Sequence, residues 1–121
     1  MNAGIHNLIC DQGATFRKTI TMKQSDGTTA VDLTGFTARM KIKHEVGGTL
    51  IKSLTSSSGL TMGGSAGTPT NGEIDISISA TDTAAFDAPI TGVYDLEIVS
   101  NAGVVDRVLQ GKFIITPEVT D

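Results

Sequence analysis

Phe36-Thr37-Ala38-Arg39-Met40-Lys41-Ile42-Lys43 alternates apolar and polar residues without a break. Successive side chains of an extended strand point to opposite faces, so Phe36, Ala38, Met40 and Ile42 share one face and Thr37, Arg39, Lys41 and Lys43 the other. The stretch predicts a half-buried β-strand. Ile74, Ile76 and Ile78 alternate with Asp75 and Ser77, and Tyr94, Leu96 and Ile98 alternate with Asp95 and Glu97, which predicts two more strands of the same kind. All three require a common core. Weaker strand signals cover residues 5–10, 14–22, 49–54, 104–110 and 112–116, the last two readable as one strand bent at Gly111. Together they predict an all-β, two-sheet antiparallel sandwich of seven to eight strands.

Turn residues fall where such a fold needs them. Asp26-Gly27 and Asn101-Ala102-Gly103 read as hairpin turns, because Asp, Asn and Gly tolerate the backbone conformations of tight turns. Asp32-Leu33-Thr34-Gly35 turns the chain into the best strand. Thr81-Asp82-Thr83-Ala84-Ala85-Phe86 predicts one short helical connector, capped by Thr81, carrying Ala85 and Phe86 toward the core and stopped by Pro89. It precedes Gly92-Val93-Tyr94, a pattern in which Tyr94 resembles the corner tyrosine of a sandwich. Residues 53–72 are rich in Ser, Gly and Thr and predict a flexible loop, interrupted by a short edge strand at Leu60 and Met62 that projects from the body.

The 121 residues make a single domain, residues 1–121, whose 39% hydrophobic and 18% charged content is that of a folding globular chain. A net charge of −4 argues against a nucleic-acid partner, since phosphate neutralisation needs concentrated Lys and Arg. One Tyr, four Phe and no Trp leave few platforms for bases or sugars. The first residues carry no basic segment followed by a long apolar run, so synthesis and folding in a cytoplasm are expected. No stretch is long and apolar enough to span a membrane.

Side chains that carry chemistry are thinly spread. Cys10 is the single cysteine, which excludes an intramolecular disulfide, and it reads as a small buried hydrophobe. His6 and His44 stand in no nucleophile or zinc-protease motif, and Gly63-Gly64-Ser65-Ala66-Gly67 lacks the Lys-Ser/Thr of a phosphate loop. Asp75, Asp95 and Glu97 lie on the polar faces of their strands, where a calcium site or an acid–base pair is conceivable. The competing reading makes the acids cross-strand partners of Arg39, Lys41 and Lys43. No metal, cofactor or small-molecule substrate is expected, and no enzymatic activity.

Three motifs stand in a recognisable order: Asp11-Gln12-Gly13-Ala14-Thr15-Phe16, then Asp32-Leu33-Thr34-Gly35-Phe36-Thr37-Ala38-Arg39-Met40, then Tyr94-Asp95-Leu96 ahead of Gly111-Lys112-Phe113-Ile114-Ile115-Thr116-Pro117-Glu118-Val119-Thr120. Together they resemble small virion structural proteins of tailed bacteriophages, cyanobacterial phages included, and more distantly the N-terminal β-sandwich domains of phage baseplate upper proteins. The resemblance runs from residue 8 to residue 120 and leaves out residues 53–72. It implies an Ig-like β-sandwich without enzymatic activity, built into the virion by contacts with other virion proteins as a homo- or hetero-oligomer. It implies a place in the tail, baseplate or neck, with capsid decoration and receptor or glycan binding as the alternatives. Candidate contact residues are Leu60, Met62 and Pro69 in the Ser/Gly/Thr-rich loop and Thr116, Pro117, Glu118 and Val119 near the C-terminus. Unpaired sheet edges, and residues 1–7 and 116–121 draped over a neighbour, are the expected modes of contact.

Overall fold

The computed structural model describes residues 4–119. In chain order the described residues form β1 (Gly4–Ile5), β2 (Leu8–Asp11), β3 (Phe16–Thr21), β4 (Thr37–Lys43), β5 (Leu50–Thr55), β6 (Leu60–Met62), β7 (Glu73–Ile78), the helix α1 (Ala80–Ala84), β8 (Ile90–Val99) and β9 (Val105–Thr116). The larger sheet runs β9-β8-β4-β5, with β1 and β2 both laid along the outer edge of β9; the smaller runs β3-β7-β6. Because β1 and β2 are two pieces of one edge, the nine strands fill eight positions of a two-sheet, Ig-like sandwich.

The expected antiparallel pairing fails at that edge. Leu8 pairs with Phe113 and Cys10 with Ile115 in a parallel register. Running parallel to β9 delivers Asp11 to the end of the sandwich from which residues 12–15 cross to β3, so direction here follows from connectivity. The edge breaks at His6-Asn7, where the Asn7 Oδ1 atom accepts the Lys112 amide at 3.0 Å. The His6 amide donates to the Gln110 carbonyl at 2.8 Å. Gly111 faces this break, and a Cβ there would stand 2.2 Å from the His6 carbonyl oxygen. The expected bend at Gly111 is absent. The ladder is instead interrupted at Val108, which is skipped between the pairs Leu96–Leu109 and Glu97–Arg107.

Alternation sorts the core. Ala38, Met40 and Ile42 of β4, Tyr94, Leu96 and Ile98 of β8, and Leu109, Phe113 and Ile115 of β9 face Phe16 of β3, Leu60 of β6, and Ile74, Ile76 and Ile78 of β7. Each fully buried Ile or Leu contributes about 1.5–3 kcal/mol of transfer free energy, so stability rests on this layer. Phe113 joins the two sheets, with its ring edge-on to Phe16 at 5.4 Å and to Tyr94 at 6.4 Å.

Asp32 Oδ1 accepts the Thr34 amide at 2.9 Å, and Gly35 at φ 80° completes the turn into β4. The hairpin at 100–104 closes through Ser100 and Val104 as its residues predict. The connector forms and bridges the sheets, but its cap is Ser79, whose Oγ accepts the Asp82 amide at 3.2 Å, and not Thr81. Thr83 and Phe86 face inward, while Ala85 is exposed, and the helix starts two residues earlier than a Thr81 cap would have it. The Thr83 hydroxyl accepts the Gly13 amide at 3.1 Å and lies 2.8 Å from the Ala14 carbonyl it donates to, fixing the crossing into β3.

Tyr94 is not a corner tyrosine. A corner hydroxyl bonds backbone a few residues upstream, whereas the Tyr94 Oη donates at 2.6 Å to the His6 carbonyl, 88 positions away. The short edge strand expected at Leu60 and Met62 forms as β6, but it does not project. Leu33 donates to the Pro69 carbonyl and Met22 to that of Gly72, which ties residues 53–72 to the body, while Asn71 Nδ2 donates within the segment to the Gly63 carbonyl at 2.8 Å.

Candidate functional site

Alternation places a charge ladder on the outer face of the larger sheet. The central strand β8 presents Val93, Asp95 and Glu97; β4 presents Arg39, Lys41 and Lys43 on one side, and β9 presents Arg107 and Lys112 on the other. Arg39 Nε lies 2.8 Å from Glu97 Oε1, and Arg107 Nε lies 3.4 Å from Asp95 Oδ2. The acids of β8 are thus cross-strand partners of basic neighbours, and Asp75 lies on the other sheet. Asp75 accepts the Thr19 hydroxyl at 2.7 Å. The three carboxylates do not share a site. Exposed pairs of this kind contribute at most about 1 kcal/mol each, so the ladder sets register and surface potential more than stability.

Lys41, Lys43 and Lys112 form no ion pair among the described residues. They surround a groove of about 610 Å³ whose apolar lining includes Ile5, Val46 and Val93. Val46 comes from the β4–β5 hairpin, which is bent by a bulge where Ile51 is skipped between the pairs Ile42–Lys52 and Lys43–Leu50. Ile5 comes from β1. Ile5 and Val46 are 80% and 92% exposed. Asn7, Gln110 and Arg107 supply polar groups at the rim.

The charge is unevenly divided. Five cations and three anions, Asp95, Glu97 and Asp11 of β2, put +2 on this face of a chain whose total is −4, so the remainder carries −6. The face is therefore a local positive surface on an acidic protein.

The contact residues expected from the sequence divide. Leu60, 2% exposed, belongs to the core, and Met62 packs against it, because both sit on the inward positions of β6. They are withdrawn from any contact surface. The Pro69 carbonyl serves the body by accepting the Leu33 amide. Thr116 ends β9 and donates its hydroxyl to Asp11 at 2.7 Å. Glu118 donates its amide to Gln12 Oε1 at 2.9 Å, while Gln12 Nε2 donates to the Phe86 carbonyl at 2.7 Å. Pro117 and Glu118 are exposed, as is Val119, at 95%. Residues 1–3 and 120–121, the ends of the two segments expected to drape over neighbours, lie outside the described residues.

Cys10 is buried, and burial, with the charge of Asp11 adding to it, pushes the thiol up to about 11. It is protonated at neutral pH, as a packed hydrophobe would be. No group of His, Cys, Asp and Glu that would hold a metal occurs among the described residues. The groove is absent from the sequence reading because its apolar members, Ile5, Val46 and Val93, come from three elements and none stands in a motif. Its one legible part is the basic face of β4.

No family model matches the chain, and no curated protein matches it.

Proposed function

We propose that the chain is a non-enzymatic structural module of a tailed-phage virion, seated in the tail, baseplate or neck and docked through the outer face of its larger sheet. The observation that carries this reading is the groove, where exposed Ile5 and Val46 line one concave surface with Lys41, Lys43 and Lys112, none of them ion-paired among the described residues. Contiguous exposed apolar surface with a polar rim is the composition of a protein interface. The ordered motifs between residues 8 and 120 support the virion context, and the exposed segment at Pro117 to Val119 gives a second contact.

The test is incorporation into particles. A Val46→Asp/Lys112→Glu variant and a chain lacking residues 117–121 should keep the circular dichroism and melting profile of the parent, and both should be depleted from purified particles when counted by mass spectrometry. Normal copy numbers for both would overturn the reading. Labelled chains imaged on the head surface would overturn the tail assignment.

A further inference from the structure

We infer that the lysine-rimmed groove receives the acidic C-terminal segment, Glu118-Val119-Thr120-Asp121, of a second copy of this chain, giving a head-to-tail contact. The inference rests on the assembly reading and names its partner. Three observations lead to it. Charge is segregated, with +2 on the groove face and −6 on the remainder, so another copy of the chain offers the face a complementary surface. Lys43, Val93 and Lys112 lie in one row across β4, β8 and β9. That row places the two lysines about 10 Å apart, two strand spacings, with an apolar floor between them.

The segment has the matching pattern. Its two acids, Glu118 and Asp121, flank the apolar Val119, the complement of a groove with a basic rim and an apolar floor. Gln12 holds the Glu118 amide and the Glu118 carboxylate lies over Gly13, while Val119 stands almost fully exposed at the Asp11 end of the sandwich. A contact between unlike surfaces repeats from copy to copy and closes into a ring where the rotation allows, or extends as a filament.

Sedimentation velocity of the full chain tests this. Association should be present near 50 mM salt and weaken at about 0.5 M, where exposed charges are screened. Reversing the groove charges (Lys43→Glu/Lys112→Glu) or the segment charges (Glu118→Lys/Asp121→Lys) should weaken association at least about tenfold. A one-to-one mixture of the two variants should restore it, because each then meets an oppositely charged partner. That rescue is not expected of a merely misfolded variant, and unchanged circular dichroism is the control. A chain monomeric at millimolar concentration, or a mixture without rescue, overturns the inference. If that chain is monomeric and the groove variant is also lost from particles, another virion protein occupies the groove and the assembly reading stands. If the groove variant enters particles normally, that reading fails as well.

Discussion

The Tyr94 hydroxyl meets the His6 carbonyl at 2.6 Å and so fastens the first edge of the larger sheet to the strand at its centre. The carbonyl stands at the break between β1 and β2, where the regular ladder cannot serve it. One side chain from the best-patterned strand thereby fixes the least patterned one.

Tyr94→Phe should cost about 0.5–1.5 kcal/mol, the net worth of a hydrogen bond whose acceptor is only part-buried. Urea unfolding at pH 7 measures it. Burial also pushes the Tyr94 hydroxyl from 10.0 up to about 12. The folded chain holds the proton more tightly than the unfolded one, so this contribution is intact below about pH 10 and is lost as pH rises through about 12. The parent should therefore lose stability across that window, and the Phe variant should lose less.

Gly111→Ala should detach the N-terminal edge. The added methyl would meet the His6 carbonyl oxygen at 2.2 Å and its carbon at 2.8 Å, both of them backbone atoms that no rotamer change can clear. A loss of about 1–3 kcal/mol is expected for such overpacking. Amide hydrogen exchange should accelerate at residues 4–11 and remain slow in β4 and β8.

Leu60→Ala and Val46→Ala should separate core from surface. Leu60 is buried on the inner face of β6, and its truncation should cost about 2–5 kcal/mol. Val46 is exposed, and its truncation should change stability by less than about 0.5 kcal/mol. Equal losses in thermal unfolding would contradict the placement of β6.

The single thiol should be silent in the folded protein. Cys10 is enclosed in the core and protonated until about pH 11, so a disulfide reagent at pH 8 should leave it unmodified over hours. Addition of denaturant should release one equivalent per chain.

Much of the sandwich was legible because period two is a local property. Phe36 to Lys43, Ile74 to Ile78 and Tyr94 to Ile98 each announce a strand and its buried face without reference to the rest of the chain. The pairing of acids on β8 with bases on β4 follows once those strands are neighbours. The parallel edge was not legible, since direction depends on where the crossing to β3 must begin. Leu60 and Met62 were drawn to the surface by the Ser- and Gly-rich company they keep, although their own spacing is that of an inward face. The groove was hidden for the same reason as the edge. Ile5 and Val46 are 41 positions apart and come to line one groove only through β1 on β9 and the bent β4–β5 hairpin.

The seating of β2 beside β9 has a consequence for biosynthesis. Asp11 and its partner Thr116 are separated by 105 positions, so β2 leaves the ribosome long before β9 and waits for it before it has a berth. A nascent chain stalled before Phe113 lacks both that berth and the ring that joins the two layers. Closure of the body thus waits until β9 has been made, and crowded polysomes give β2 of one chain an opportunity to exchange onto β9 of its neighbour.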